Sequence, residues 1–455
     1  GSTQIGGDGP PYFPMARAIA GGLAFSTVVS LLFLPTIYAM LDDLRTNPAL
    51  LKLDLYCKGL RLDDSCFIEE DGGRKILRTR AGLGSGLELI LPGGLWTNAP
   101  VSEPFAARSP YVLHKGTGVK SQYWLYRDDV PLSPVELSPR PDWYDANTAT
   151  GKPMTRIGTL QGTYLGIYQA KVCEYWTEKP QKVNCKFCSV GLNLGIDDAD
   201  EKSVDEVLEV VRAARRDSGI TYVDFNTGHY EGDTYLDILE PYILRIKEEL
   251  GLLIGVQTPP HRDLKRYDHL KEIGVNRVSF CFEIFNRELF EEICPGKHAE
   301  YGLDFYLEAI RYCAALTGTG RSDEPWVTNG EIIAGLEPPG SSIRAIDWIT
   351  SVGAIPTVCV FRPLVGTDLQ DHEPPKTEDM IPVFKHLYES CMEKGLPIGL
   401  APNIHVSLVM LPEECRGFSQ KRYLWQSAKL AVMKKVFGRQ FERKLREHEK
   451  SALTA

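Results

Sequence analysis

From about residue 155, short apolar runs alternate with stretches whose apolar positions recur every three or four residues. The first pattern is that of a buried strand and the second that of an amphipathic helix. "TYLGIYQAKV" predicts a strand running to Cys173, and "SVDEVLEVVRAARRDSG" a helix opened by a serine N-cap. "TYVDFN", "LLIGVQT", "VNRVSFCFE", "WVTNGEIIAGL" and "IPTVCVFRPL" continue the strands. "YLDILEPYILRIKEELG", "HRDLKRYDHLKEIG", "AEYGLDFYLEAIRYCAAL" and "SIRAIDWITSVG" supply the helices between them. Six strand–helix units in succession predict a parallel sheet with helical crossovers, closed wholly or partly into a barrel. Such barrels carry function on the loops after the strand ends. Cys173, Thr227, Glu283 and Glu337 all fall at or just after predicted ends, so one open mouth could collect them.

The texture differs on either side. Residues 50–150 are rich in Gly, Pro and Ser, with β-like runs such as "GLELILPGG", "SPYVLHKG" and "KSQYWLYRDD". They predict a small, mostly β domain that a Pro-rich link, "PLSPVELSPRPDWYD", joins to a barrel domain over 151–410. Residues 411–455 form a helical extension. Its run "KRYLWQSAKLAVMKKVFGRQFERKLREHEK" reads as a solvated amphipathic helix. At the front, within 1–49, residues 18–41 contain no charged side chain and are long enough to span a bilayer core, which takes about 20 apolar residues. A buried apolar helix of a soluble protein is the alternative.

A formal net charge of −9 gives no case for nucleic-acid binding. The eleven cysteines are odd in number and scattered, which disfavours a disulfide framework and fits a reducing, cytoplasmic compartment. If residues 18–41 insert, their resemblance to the last transmembrane helix of resistance-nodulation-division efflux transporters implies attachment to the inner face of the cell membrane.

"VCEYWTEKPQKVNCKFCSVG" concentrates three of those cysteines: Cys173, Cys185 and Cys188. The C-x-x-C could be a redox pair or half of a zinc site, but the repeated βα pattern does not fit the first and no suitably spaced fourth ligand signals the second. Three thiolates without a fourth match what an iron–sulfur cluster with one open iron requires.

A cluster loop after the first strand of a partial barrel, ending "CKFCSVG", resembles the radical S-adenosylmethionine (SAM) superfamily. The spacing here, C-x11-C-x2-C, departs from that family's commonest C-x3-C-x2-C in its first interval. The resemblance implies a partial (βα)6 TIM-like barrel, a [4Fe–4S] cluster on Cys173, Cys185 and Cys188, and SAM on the open iron. It also implies roles for further residues. Phe187, between the last two cysteines, takes the position that packs near the adenine. "DFNTGHYEGD" stands in place of the segment that binds the SAM amino group, with Thr227 and Gly228 as its contacts. "VSFCFEIFNRELFEEICPGKH" is similar to the fourth strand of biotin-synthase-like members, where an acidic residue, here Glu283, faces SAM. "NGEIIAGLEPPG" is similar to the ribose and adenine segment, giving Gly335 and Glu337. "PDWYDANTATGKPMTRIGTLQGTYLGIYQAKVCEYW" resembles an uncharacterised biotin-synthase-like subgroup.

The activity so implied is reductive cleavage of SAM to a 5′-deoxyadenosyl radical that abstracts hydrogen from a small-molecule or lipid-like substrate, with a flavodoxin- or ferredoxin-type electron donor. Separately, "ARAIAGGLAFSTVVSLLFLPTIYAMLDDL" resembles the last transmembrane helix of resistance-nodulation-division efflux transporters. Two other readings stand beside the enzyme: a metal-stabilised binding protein without turnover, and a membrane-tethered accessory of an efflux system.

Overall fold

The computed structural model describes residues 13–28, 47–66, 86–116, 122–169, 171–177, 182–319 and 324–454. The front of the chain contributes helix α1 (Phe13–Val28), sixteen residues long, with Ile19, Leu23, Phe25 and Val28 exposed. Among the described residues no helix is long and apolar enough to cross a membrane, so the expected span over 18–41 is not supported. Positions 29–41 of that stretch lie outside the described residues.

Helix α2 (Pro48–Lys58) begins where Asn47 caps it, the side chain accepting the Leu50 N–H at 3.3 Å, with Pro48 in the first turn. It is buried on both sides. Leu51 and Leu55 join the core of a small sheet, while Leu53, Tyr56 and Cys57 join the main core. The small sheet comprises β1 (Arg61–Leu62), β2 (Gly86–Leu91), β3 (Leu95–Pro100), β4 (Tyr111–Lys115), β5 (Tyr123–Arg127) and β6 (Val130–Leu137), in the order β1-β4-β5-β6-β2-β3.

The second sheet is the frame for function. A short β7 (Thr159–Leu160) pairs antiparallel with β8 (Leu165–Tyr168). From there β9 (Tyr222–Asn226), β10 (Leu253–Gln257), β11 (Arg277–Glu283), β12 (Val327–Ala334) and β13 (Ile355–Val360) add one by one, all parallel. Helices α3 (Val204–Ser218), α4 (Tyr235–Leu250), α5 (Arg266–Glu272), α6 (Arg287–Ile293), α7 (Pro295–Glu300), α8 (Gly302–Ala315), α9 (Pro339–Ser351) and α10 (Thr377–Glu393) follow the strands. The α/β alternation expected from the hydrophobic pattern is therefore present. α3 has the predicted start: Ser203 accepts the Glu206 N–H at 3.2 Å, while Glu206 accepts the Ser203 N–H at 2.8 Å.

The sheet is curled and open, and an irregular segment covers its gap. Met410 bridges Val358 of β13, and on the other side the Thr163 N–H donates to the His405 carbonyl at 3.0 Å. The Asn98 N–H of β3 donates to the Ser407 carbonyl at 2.8 Å, tying the small sheet to the same segment. The long C-terminal helix α11 (Leu424–Thr454) packs Phe441 and Leu445 against the barrel.

Candidate functional site

Strands expose alternate residues to one face, and here one face looks into the barrel. Tyr222, Asp224 and Asn226, then Arg277, Cys281 and Glu283, then Asn329, Glu331 and Ile333 all line a cavity of about 1060 Å³. At the strand ends the same cavity is lined by Cys173, Cys185, Cys188, Phe187, Thr227 and Gly228. Seven of the nine residues expected from sequence thus share one space.

The cysteine loop leaves β8 and is pinned at several points. The Glu174 N–H donates to the His229 carbonyl (3.0 Å), the Lys186 N–H to the Ile293 carbonyl (2.9 Å), and the Gly296 N–H to the Val183 carbonyl (3.1 Å). Two backbone N–H groups point at sulfur: His229 toward Cys173 Sγ at 3.3 Å and Val190 toward Cys188 Sγ at 3.5 Å. Such donors stabilise anionic sulfur and tune iron–sulfur clusters. Gly228 makes the close approach possible, since a Cβ there would stand 2.3 Å from the Cys173 Cβ. Residues 178–181 of the loop lie outside the described residues.

The donor set, three thiols on one cavity with backbone N–H groups directed at two of the sulfurs, suits the group that the resemblance implies. Burial pushes the Cys173 thiol up to about 11, and burial together with the neighbouring Cys185 pushes Cys188 up to about 12. Cys185 goes the other way, lowered first by a hydrogen bond from the Cys294 thiol. Buried thiols that resist ionisation alone are stabilised as thiolates by a metal, which displaces their protons. Among the described residues no three His, Cys, Asp or Glu side chains group so as to hold a metal ion. A multi-iron cluster takes its thiolates on different irons and accepts a wider setting.

Thr227 carries a second sign of fit. Its N–H donates to the Gln257 carbonyl at 3.1 Å, but its buried Oγ1 has no hydrogen-bond partner. A buried hydroxyl left unpaired at a cavity wall is a ready contact for a polar ligand. Glu283 ends β11 at φ 69°, beside a register shift in its pairing with β12, and is ion-paired to Lys297 Nζ at 3.0 Å. Non-glycine residues in that region of backbone space are uncommon and cluster at functional sites.

Gly335 and Glu337 do not line the cavity. Gly335 turns the chain at φ 102°, where a Cβ would meet Pro375 Cγ at 2.7 Å. Glu337 Oε2 accepts the backbone N–H groups of Phe285 (3.0 Å) and Asn286 (2.8 Å), and Ser342 donates to Oε1 at 3.2 Å. Its carboxylate staples the loop after β11 to the end of β12, and the expected ribose and adenine contact is not among the residues that the cavity brings together.

Sequence reasoning missed Lys297, whose Nζ also donates to the Cys281 carbonyl, and Cys294 beside Cys185. "CPGKH" gives no periodic or motif signal for either. It also missed the polar layer deeper in the barrel. Arg277 meets Asp224 at 3.1 Å and Asn329 at 3.1 Å, and Glu331 accepts from Gln257 at 2.6 Å and Ser279 at 3.0 Å. Alternating polar residues in a predicted buried strand are the signal that was available.

Residues 182–337 match the model of the radical SAM superfamily. Cys185 and Cys188 lie within the match and Cys173 lies upstream of it. Among curated proteins the chain is similar to bacteriochlorophyllide c C-7(1)-hydroxylase of Chlorobaculum limnaeum, 28% identical over 151 residues. That alignment covers 32% of this chain and 36% of the relative, so the chain spans about a third of that protein's length. Among solved structures, methylornithine synthase is 18% identical with a TM-score of 0.39, covering 59% of this chain and 81% of that one. Coproporphyrinogen III oxidase of Escherichia coli is 15% identical with a TM-score of 0.30, covering 39% and 41%. The narrower biotin-synthase-like assignment and the transporter-helix likeness have no support from these matches.

Proposed function

We propose that the chain is a radical SAM enzyme that acts on a small molecule held in the barrel, next to a [4Fe–4S] cluster on Cys173, Cys185 and Cys188. The observation that carries this is the convergence of those three thiols, the unpaired Thr227 hydroxyl and the Glu283–Lys297 pair on one end of one cavity. A reduced cluster held by Cys173, Cys185 and Cys188 would supply the electron for reductive cleavage of SAM, and so the radical chemistry of hydrogen abstraction.

The chain's own residues hold and shield. Thr227 Oγ1 and the backbone beside Gly228 bind the amino-acid end of SAM, and Phe187 packs along its adenine. Glu283, fixed by Lys297, presents a carboxylate to the same ligand. The polar layer of Asp224, Arg277, Asn329 and Glu331 orients the substrate below it by hydrogen bonds. The segment around His405–Met410 covers the gap in the sheet and narrows access to the site. A flavodoxin- or ferredoxin-type protein delivers the electron at the cysteine loop.

Electron paramagnetic resonance of the reduced, anaerobically reconstituted protein tests the site. A [4Fe–4S] signal that changes on adding SAM, and changes less in Thr227→Val, is the expected result. Zinc in place of iron, or a signal indifferent to SAM, would favour the binding-protein reading.

A further inference from the structure

We propose that the outward face of α11 docks the protein on an anionic lipid surface and sets the mouth of the cavity against it. α11 packs inward through Phe437, Phe441 and Leu445, one turn apart, and Met433 a turn earlier lines the cavity. The opposite face should then be polar. Instead Leu424 and Trp425 stand out, exposed by 74% and 91%, and Val432 and Val436, at the rim of the cavity, are exposed by 64% and 49%. Trp425, Val432 and Val436 fall at i, i+7 and i+11, so they make one stripe rather than scattered side chains.

The charge carried by this stretch of the chain itself is one-sided, although Glu413 and Glu414 of the preceding segment share the cavity rim with Lys434. Residues 422–440 carry Arg422, Lys429, Lys434, Lys435 and Arg439 and no carboxylate, in a chain whose formal net charge is −9. All five cations are exposed, and none is in a salt bridge among the described residues. An apolar stripe with an exposed Trp, set among lysines and arginines, is the composition that lies flat in a lipid interface and favours anionic headgroups. An acidic protein partner would need only the cations, and a second copy of this acidic chain would need only the stripe. A lipid surface uses both.

The cavity ends at this face. Val432 and Val436 are both exposed and both line it, together with Phe437, Leu408 and Met410. At this end the lining mixes Leu408, Met410, Val432 and Val436 with Glu413, Glu414, Lys434 and Gln440, so the cavity meets the proposed lipid surface at a rim that is both apolar and charged. The proposal stands on the surface of α11 and does not require the radical chemistry.

Co-sedimentation of the full chain with vesicles tests it, comparing phosphatidylcholine alone with phosphatidylcholine containing phosphatidylglycerol. Two variants leave the cavity lining untouched: Leu424→Ser with Trp425→Ser, and Lys429→Glu with Lys435→Glu. The unaltered protein should prefer anionic vesicles, and each variant should bind them at least about tenfold more weakly. Trp425 fluorescence should shift to shorter wavelength on binding. Undiminished binding by both variants would assign the affinity to residues 13–41 and overturn the proposal. So would no binding by the unaltered protein, or self-association without lipid that the serine variant abolishes. Formation of 5′-deoxyadenosine in solution by the same variants separates this outcome from any failure of the proposed chemistry.

Discussion

Lys297 Nζ lies 3.0 Å from Glu283 Oε1, and it is the neighbour of Gly296, whose N–H is bonded to the cysteine loop at Val183. The pair therefore joins the end of β11 to the loop carrying the three thiols. Both side chains are largely buried, at 13% and 11% exposure. Removing one partner leaves a buried charge unpaired. Lys297→Met should destabilise the apoprotein by about 3–5 kcal/mol, read from denaturant unfolding. Adding Glu283→Gln should recover much of that loss, because the second substitution removes the stranded charge.

Thr227 separates ligand contact from stability. Thr227→Val keeps the shape and removes the unpaired hydroxyl. The apoprotein should be as stable as before or slightly more so, while SAM binding weakens by about two- to tenfold, the worth of one hydrogen bond. Equilibrium binding measured beside thermal unfolding checks both halves.

Gly228 and the cysteines test the cluster loop. Cys173→Ala, Cys185→Ala and Cys188→Ala should each lower bound iron from about four per chain toward zero and remove the brown absorption. Gly228→Ala should do the same while every thiol is still present, because its Cβ would overlap Cys173. A full iron complement in Cys173→Ala would remove that residue from the ligand set.

Glu88 sets a pH dependence at the joint between the small sheet and the barrel. Burial pushes its carboxyl up to about 7, against hydrogen bonds from Ser407 and from the Gly162 N–H at 3.0 Å. Between the unfolded value near 4.5 and about 7, the folded chain keeps a proton that the unfolded chain has released. Stability must then fall as pH rises through that window, with the full loss above it. Glu88→Gln keeps the acceptor and lacks the titration. Relative to the parent it should gain on the order of 2 kcal/mol between about pH 5 and about pH 8, read from denaturant midpoints.

How far the sequence speaks depends on the range of the interaction. The helix start at Ser203 and the strands feeding Cys173, Thr227 and Glu283 rest on local pattern and caps, and they were legible. Glu337 was not, because whether a strand-end carboxylate faces a cavity or a neighbouring loop depends on the amides of Phe285 and Asn286, half a hundred residues away. The segment covering the barrel gap has no periodicity to read; Met410 meets Val358 only through the closed fold. α11 was legible as an amphipathic helix. Its apolar outer stripe became visible only once Phe437 and Phe441 had shown which face was packed.

The most direct test is formation of 5′-deoxyadenosine by the anaerobically reconstituted full chain given SAM and a strong reductant, beside the variant lacking Cys173, Cys185 and Cys188. Product well above that variant is what the account predicts. Equal, background product from both, with the cluster shown to be intact and reduced and SAM shown to bind, would contradict it.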